Sequence, residues 1–413
     1  MNRRIALVLL FVAACRREPP PPPAPAPQRM PVSEVTPIAM PTLDIDGDNL
    51  LNIAYGASVV SRTGELNLES SALHAIDGMS FTTWTSPPFG PEQTLDFAFG
   101  GPSRVEQVGV TTLDANRSPR NVRISASADG ETWREIKMLA PANKGTTIVD
   151  VPPFEARYIR VQPIEPSEQH AVLASVHAIG RELRAGERAS FTGCWDLTSH
   201  FARFEQRGAR VTGVIGGERP TYLDGGIEGR VAKLMWMRGP MWGYAAATLT
   251  PDGRGISAIR FHEEPAWQSY GAAWIGSRVE CAGSAGALKA AGLLPHSIFR
   301  RTGRWMMSGV IFDDEERMLD EPSRAALDDA AALIASMPKQ RLRIIAREFR
   351  GSDPGANRRS THLRLDAIHD ALQARGIDIT RIEFVASGSD SPTIEKPSAI
   401  QRSLWSRIDL ERL

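Results

Sequence analysis

Residues 75–86 read Ala75-Ile76-Asp77-Gly78-Met79-Ser80-Phe81-Thr82-Thr83-Trp84-Thr85-Ser86, an Asp-Gly turn followed by threonines around a tryptophan. Asp-Gly reverses the chain readily, because glycine accepts positive φ and the Asp side chain bonds nearby backbone. Threonine and tryptophan suit a pleated, half-buried surface. Outward from this stretch the β-type pattern returns in short bursts: QTLDFAF at 93–99, VEQVGVTTL at 105–113, RNVRISASA at 120–128, TTIVDV at 146–151 and RYIRVQPI at 157–164. Gly, Pro and a second Asp-Gly, at Asp129 and Gly130, separate them. Short strands punctuated in this way predict a β-sandwich over 49–183.

The opening stretch also carries a family resemblance. Ala75-Ile76-Asp77-Gly78 with Thr83-Trp84-Thr85-Ser86 resembles the A-x-D-G…T-x-W-x-S signature of discoidin domains, the coagulation-factor C-type modules. Leu95-Asp96-Phe97, Ser127 to Trp133 and Ala156 to Val161 follow in the family's order. The resemblance implies a galactose-binding-like jelly roll whose loops at one end meet a glycan. On that basis the carbohydrate-binding candidates are His74, Phe81, Arg117, Arg120 and His170, with Phe89 and Asn116 beside them. Each also reads as an ordinary solvated or packed loop residue. Trp84 and Trp133 match positions that are core in the family. Many relatives hold a structural calcium just after the Asp-Gly turn, which would fall to Asp77 and Thr82. Met79 stands where a second oxygen ligand is usual, and Ser175 where a late Glu is usual. A hard cation wanting six to eight oxygens loses ligands and charge together. Calcium is therefore a possible cofactor here, and no other is implied.

From 190 to 282 the chain is β-rich again and holds five of its nine tryptophans, Trp195, Trp236, Trp242, Trp267 and Trp274. RVTGVI, GIEGRVAKLMWM, WGYAAATLT, GISAIRF and AWIGSRVEC read as strands of a meander or a small barrel, with Asp252-Gly253 as one hairpin turn. Tryptophans in a small β domain are read as core before they are read as a sugar platform. Cys194 and Cys281 stand near the two ends of this segment and form a disulfide candidate, with free buried thiols as the alternative.

After a Gly/Ala-rich boundary the period changes. Over 300–413 the reading is βαβαββ: a strand at 308–312, a helix at 322–337 stopped by Pro338, a strand at 342–346, a helix through Leu365, Ile368 and Leu372 ended by Gly376, and strands at 382–386 and 404–410. GVIFDDEERML, ALDDAAALIASMP and ALQARGIDITRIEFVASG resemble the entry, first helix and helix-to-strand passage of OmpA-like domains. The resemblance implies an α+β domain that binds peptidoglycan, an acid holding the stem-peptide amine and an arginine its carboxylate. The family arginine falls on Arg364 and the asparagine on Asn357, but the aspartate position is Phe349. Glu348, one residue away, and Asp353, in the loop, are the candidates to replace it.

The chain begins with Arg3 and Arg4, an apolar run from Ile5 to Ala14, and Cys15. The run is too short to span a bilayer and reads as an export signal. Val12-Ala13-Ala14-Cys15 resembles the lipobox of bacterial lipoproteins, which implies lipidation of Cys15, palmitate among the acyl chains, a membrane partner through that anchor, and a cell-envelope location. Arg16 after the cysteine favours the outer membrane. The Pro-rich run RREPPPPPAPAPQ then reads as a polyproline II spacer within a linker at 16–48. Asp44, Asp46 and Asp48 imitate the start of a calcium loop, but Asn49 and Tyr55 stand where its glycine and final Glu belong, so a solvated turn is expected.

Lys and Arg balance Asp and Glu at 48 each, which argues against a nucleic-acid binder. H-E-x-x-H, G-x-S-x-G and Walker signatures are absent from the sequence, and Pro338 spoils the S-x-x-K match at Ser336. Asp313-Asp314-Glu315-Glu316 reads as a solvated run, and His262-Glu263-Glu264 as a polar turn. The expectation is a multidomain, non-enzymatic envelope lipoprotein, with no catalytic residues, that binds glycan and associates with peptidoglycan. The alternative is an envelope protein–protein scaffold with degenerate ligand sites.

Overall fold

In a computed structural model of the chain the described residues are 48–413, except 89–91, 115, 167–169, 185–189, 198, 263–269, 289–294, 350–352 and 389–396. Cys15, the Pro-rich run, Asp44, Asp46, Phe89, Glu263, Glu264 and Trp267 thus lie outside the described residues.

The first group of strands is β1 (Ser58–Arg62), β2 (Trp84–Thr85), β3 (Leu95–Thr112), β4 (Pro119–Ser127), β5 (Arg134–Leu139), β6 (Gly145–Pro166), β7 (Val172–Leu173) and β8 (Ser175–Glu182). β1-β3-β6-β4-β5 form one antiparallel sheet, β8 adds to β3, and β2 pairs with β7. The runs at 93–99 and 105–113, which read as two strands, are one. On β3 the residues between Ala98 and Ser103 bulge out against a partner that advances only from Tyr158 to Ala156, so Gly100-Gly101-Pro102 fits without breaking the strand. Such corners let long strands serve both layers of a jelly roll. Leu95, Phe97, Val108, Val110, Ile159, Val161 and Val176 fill the space between.

The second group is β9 (Gly193–Asp196), β10 (Phe201–Arg207), β11 (Arg210–Ile215), β12 (Thr221–Glu228), β13 (Val231–Arg238), β14 (Met241–Leu249), β15 (Gly255–His262) and β16 (Tyr270–Val279). It is a closed up-and-down barrel, because β9 pairs with both β10 and β16. β9 has only four residues and no alternation long enough to read. The piece GIEGRVAKLMWM is two strands, turned at Gly229 with φ +60°. Cys194 and Cys281 are joined by a disulfide beside the closing seam, where Cys194 pairs with Val279. Trp195, Phe204, Leu223, Leu234, Trp236 and Ile256 fill the interior, leaving a void of about 10 Å³. Met235, Met237, Tyr244, Ile259, Phe261 and Ile275 face outward and are buried too. Their strands therefore read as nearly continuous apolar runs rather than as alternation.

The third group comprises α1 (Gly283–Ala287), α2 (Pro295–Thr302), β17 (Arg304–Met306), α3 (Asp320–Ala335), β18 (Leu342–Arg347), α4 (Pro354–Ala374), β19 (Ile382–Gly388), α5 (Ala399–Trp405) and β20 (Arg407–Arg412). Its sheet order is β17-β20-β18-β19, with β18 and β19 parallel across α4. Two details depart from the sequence reading, in the first strand and in the last. The first strand is 304–306, and the stretch 308–312 is turned by Gly309 at φ +90°. α4 starts at Pro354, where Asp353 caps it and proline occupies the first turn. Residues 399–405 are helical because Ser398 and Gln401 form a capping box.

One apolar cluster runs through the sandwich, the outer barrel face and α5. Polar contacts pin the junctions. Val59 N–H donates to Ser257 Oγ at 3.0 Å and Thr248 Oγ1 to the Ala57 carbonyl at 2.9 Å. Arg230 pairs with Glu182. Arg210 joins Asp224 on the neighbouring barrel strand to Asp329 of α3, and Trp305 Nε1 donates to Asp224 at 3.0 Å.

Candidate functional site

At one end of the sandwich the loops are tied together by a short ladder. β2 pairs with β7, Ser86 N–H donates to the Ala171 carbonyl at 2.9 Å, and Ala171 N–H to Ser86 Oγ at 2.9 Å. His170 Nδ1 lies 2.8 Å from the Ser86 carbonyl, and Val172 N–H donates to the Arg117 carbonyl at 3.1 Å. Arg117 and His170, 53 positions apart in the numbering, thereby share one loop cluster. Arg117 is 55 % exposed and only loosely paired with Asp114, at 3.6 Å. Arg120 is exposed at the start of β4, and Phe81 stands out 55 % exposed three residues before β2. Asn116 belongs to the same turn, its N–H bonded to Asp114 Oδ1.

His74 does not join them. It is 2 % exposed, on the 3₁₀ turn Ala72–Ile76, with Nδ1 2.9 Å from the Thr83 carbonyl. Burial lowers its pKa and keeps the ring neutral. It holds the turn that presents Phe81 rather than meeting a ligand. Trp84 is fully buried, whereas Trp133 is half-buried under the Arg160 guanidinium, 4.1 Å from its ring centre.

Asp77 and Thr82 do come together, but as a closed hydrogen-bonded turn. Asp77 Oδ1 accepts from Met79 N–H at 2.8 Å, and Oδ2 from the Thr82 hydroxyl at 2.8 Å. Asp77 is fully buried, and burial, only partly offset by these bonds, raises its pKa well above the usual value. Among the described residues no three His, Cys, Asp or Glu side chains converge on a metal position. One buried carboxyl already engaged by two donors does not fit a cation that wants six to eight oxygens. We expect the melting temperature to be the same in EDTA as in millimolar calcium; a rise of several degrees with calcium, read by calorimetry, would show a site that this donor set does not provide.

In the third group Arg364 on α4 is 11 % exposed and reaches two acids: Nη1 lies 2.7 Å from Glu348 Oε2, and Nε 2.5 Å from Glu316 Oε2. Burial works against the charged guanidinium, but Glu348 and Glu316 outweigh it and raise its pKa. Glu348 and Phe349 leave the end of β18 in opposite directions. Phe349 packs on the central apolar cluster and its N–H donates to Ser406 Oγ, so the carboxylate one residue earlier faces Arg364. Asn357 is buried on α4 two turns before Arg364, on the same face. Asp353 is not part of this group: it caps α4 by accepting from Gly355 N–H and lies 4.0 Å from Arg359.

Glu316 is the residue that sequence reasoning missed. The run from Asp313 to Glu316 read as solvated, yet Asp313 accepts from the N–H groups of Glu315 and Arg317 and curls the run into a turn. Glu316 there takes φ +60°, an unfavourable conformation for a residue with a Cβ, and also accepts from Ser360 Oγ at 2.8 Å. Nothing local in an acidic run signals that one member will meet an arginine 48 positions on.

Comparison with known proteins matches residues 57–177 to the F5/8 type C domain. Among solved structures the chain is similar to a CBM32 module from Clostridium perfringens in complex with GalNAc-β-1,3-galactose (18% identity, 32% of this chain and 100% of that one, TM-score 0.29). It is also similar to a chitosan-binding module from Paenibacillus sp. IK-5 (19%, 31% and 98%, 0.29) and to the family 32 CBM of C. perfringens NanJ in complex with galactose (20%, 30% and 94%, 0.28). No curated protein matches the chain. The span that matches the F5/8 type C domain covers β1 to β7 and the loop ladder that brings Arg117 to His170.

Proposed function

We propose that this protein is a non-enzymatic lipoprotein of the cell envelope, anchored in the outer membrane through Cys15, whose F5/8 type C domain binds glycan. The observation that carries the reading is the pairing of the family match with an exposed, basic and aromatic loop cluster at one end of the sandwich. Arg117 and His170 supply hydrogen bonds to sugar hydroxyls, Arg120 adds charge at the rim, and Phe81 offers a flat apolar face of the kind a pyranose ring covers. Binding, not turnover, is the activity. The glycans named for the similar solved modules support the class of ligand, not its identity.

The third group, which resembles OmpA-like domains, would dock at peptidoglycan through Arg364 and Glu348, an arginine and an acid that pair with one another at 2.7 Å and that the ligand's carboxylate and amine would have to part. A specific observation favours the scaffold alternative at this end: Glu316 already occupies the Nε edge of Arg364. A stem-peptide carboxylate must displace it. Two assays test the binding at the two ends of the chain. On a glycan array the chain is expected to bind, and Arg117→Ala with His170→Ala to lose at least about tenfold in affinity, a loss of some 1.4 kcal/mol. With purified sacculi the chain is expected to co-sediment weakly, Glu316→Ala more strongly and Arg364→Ala not at all. No sedimentation by the chain or by Glu316→Ala would leave the scaffold reading standing for the third group.

A further inference from the structure

The deeply buried arginines of this chain are matched to acids: Arg210 to Asp224, Arg230 to Glu182, Arg364 to Glu348, Arg407 to Asp409. Arg278, whose guanidinium lies 4.3 Å from the Trp195 ring centre, instead gives its N–H groups to the carbonyls of Ser190, Thr192 and Gly253. Among the described residues Arg260 has neither arrangement. It sits on β15 two residues beyond the inward-facing Ala258, at the end of the barrel where β13 and β15 terminate. Its guanidinium lies between two indoles, 4.9 Å from the Trp236 ring centre and 5.3 Å from that of Trp274. Its Nε is buried and, among the described residues, has no hydrogen-bond partner.

A guanidinium covered on its faces keeps its N–H groups in the plane between the indoles, the edge that a carboxylate engages in bidentate fashion. Among the described residues the charge that acts on it, Arg238, has the same sign. Burial, and then Arg238, push the pKa of Arg260 below the usual arginine value. His262 stands edge-on to Trp236, with centroids 5.4 Å apart. Gly239, one residue past Arg238, lines a groove of about 550 Å³ on the outer side of the barrel wall together with Met237, Arg219, Tyr222, Arg300 and Arg301, with Glu218 the acid among its lining residues.

We propose that this end of the barrel binds a small hydrophilic carboxylate of the sugar-acid class, with Arg260 as the residue that grips the carboxylate. The size of the interior decides between carboxylates. A void of about 10 Å³ holds a single water at most, so an acyl chain has nowhere to go inside the barrel. The body of the ligand lies outward, along the cationic rim and groove.

The test titrates the full chain with digalacturonate, galactose and octanoate while following tryptophan fluorescence, since Trp236 and Trp274 report directly on the site. Digalacturonate is expected to give a saturable change. Arg260→Gln should weaken that change at least tenfold, and Arg260→Lys, which keeps charge but not the bidentate edge, by an intermediate factor. Arg117→Ala, in the sandwich, should leave it as it is, which separates this site from the glycan site proposed above. Unchanged melting temperatures keep the variants interpretable, and Arg238→Ala provides a second probe expected to weaken binding. Equal affinity in Arg260→Gln, an equal response to galactose, or tighter binding of octanoate than of the sugar acid would overturn the proposal.

Discussion

Arg210→Met is expected to lower the unfolding free energy by about 3–5 kcal/mol, the cost of leaving a buried carboxylate without its partner. Arg210 and Asp224 are 1% and 0% exposed, and their ion pair is 2.5 Å long. The guanidinium also donates to the Gly225 carbonyl and reaches Asp329 at 3.0 Å, so one side chain ties two barrel strands to α3. Without it, among the described residues, Asp224 keeps the Trp305 indole N–H, at 3.0 Å. Burial already pushes the Asp224 carboxyl above its usual pKa, with Arg210 pulling it back down. The double variant Arg210→Met with Asp224→Leu should recover most of the loss, because replacing a whole buried pair by apolar groups is often neutral or better. Urea unfolding of wild type, both single variants and the double variant is the measurement. A double variant no more stable than the worse single one would mean that the pair is held by more than its own charges.

Removing the disulfide, as Cys194→Ser with Cys281→Ser, is expected to cost about 4–5 kcal/mol in barrel stability on chain-entropy grounds, for a bridge closing 87 positions. The seam it guards is short. β9 and β16 share three residue pairs, Asp196 with Ser277, Trp195 with Arg278 and Cys194 with Val279. The second clasp there is Arg278, stacked on Trp195 and bonded to the carbonyls that lead into β9. Amide exchange should therefore accelerate first in β9 and β16 of the disulfide-free variant, while β11 to β14 retain protection. Uniform acceleration across the barrel would contradict a seam-limited role.

Much of the fold is legible locally. The Asp-Gly turns, the short β runs and the tryptophan at Trp84 sit inside the stretch that matches the F5/8 type C domain. The helices α3 and α4 follow from apolar positions at helical spacing, and Gly376, with φ +75°, ends the second. What failed to be legible has physical causes. The barrel strands are apolar on both faces because one side is interior and the other is covered, so alternation, the usual strand signal, is erased in VAKLMWM and AAA. β9 and β17, at four and three residues, are too short to carry a period. His74 read as a loop ligand because a histidine beside a turn carries no mark of burial, and only the packing of its 3₁₀ turn put it inside.

The order of residues along the chain carried the β-rich pattern and the signature of the F5/8 type C match, and the family resemblances it supports put forward Arg364, Arg117 and His170 as candidates. Those are properties of chain segments, in which each residue's neighbours are the next few along the chain. The tertiary structure alone decided which charges meet. It turned Glu348 rather than Phe349 toward Arg364, curled Glu316 onto the same guanidinium, closed Asp77 on Thr82, and set Arg260 against two indoles with no acid paired to it among the described residues. Pairings of that kind span tens of residues, and in a low-dielectric interior a shift of one position along a strand turns a side chain to the opposite face.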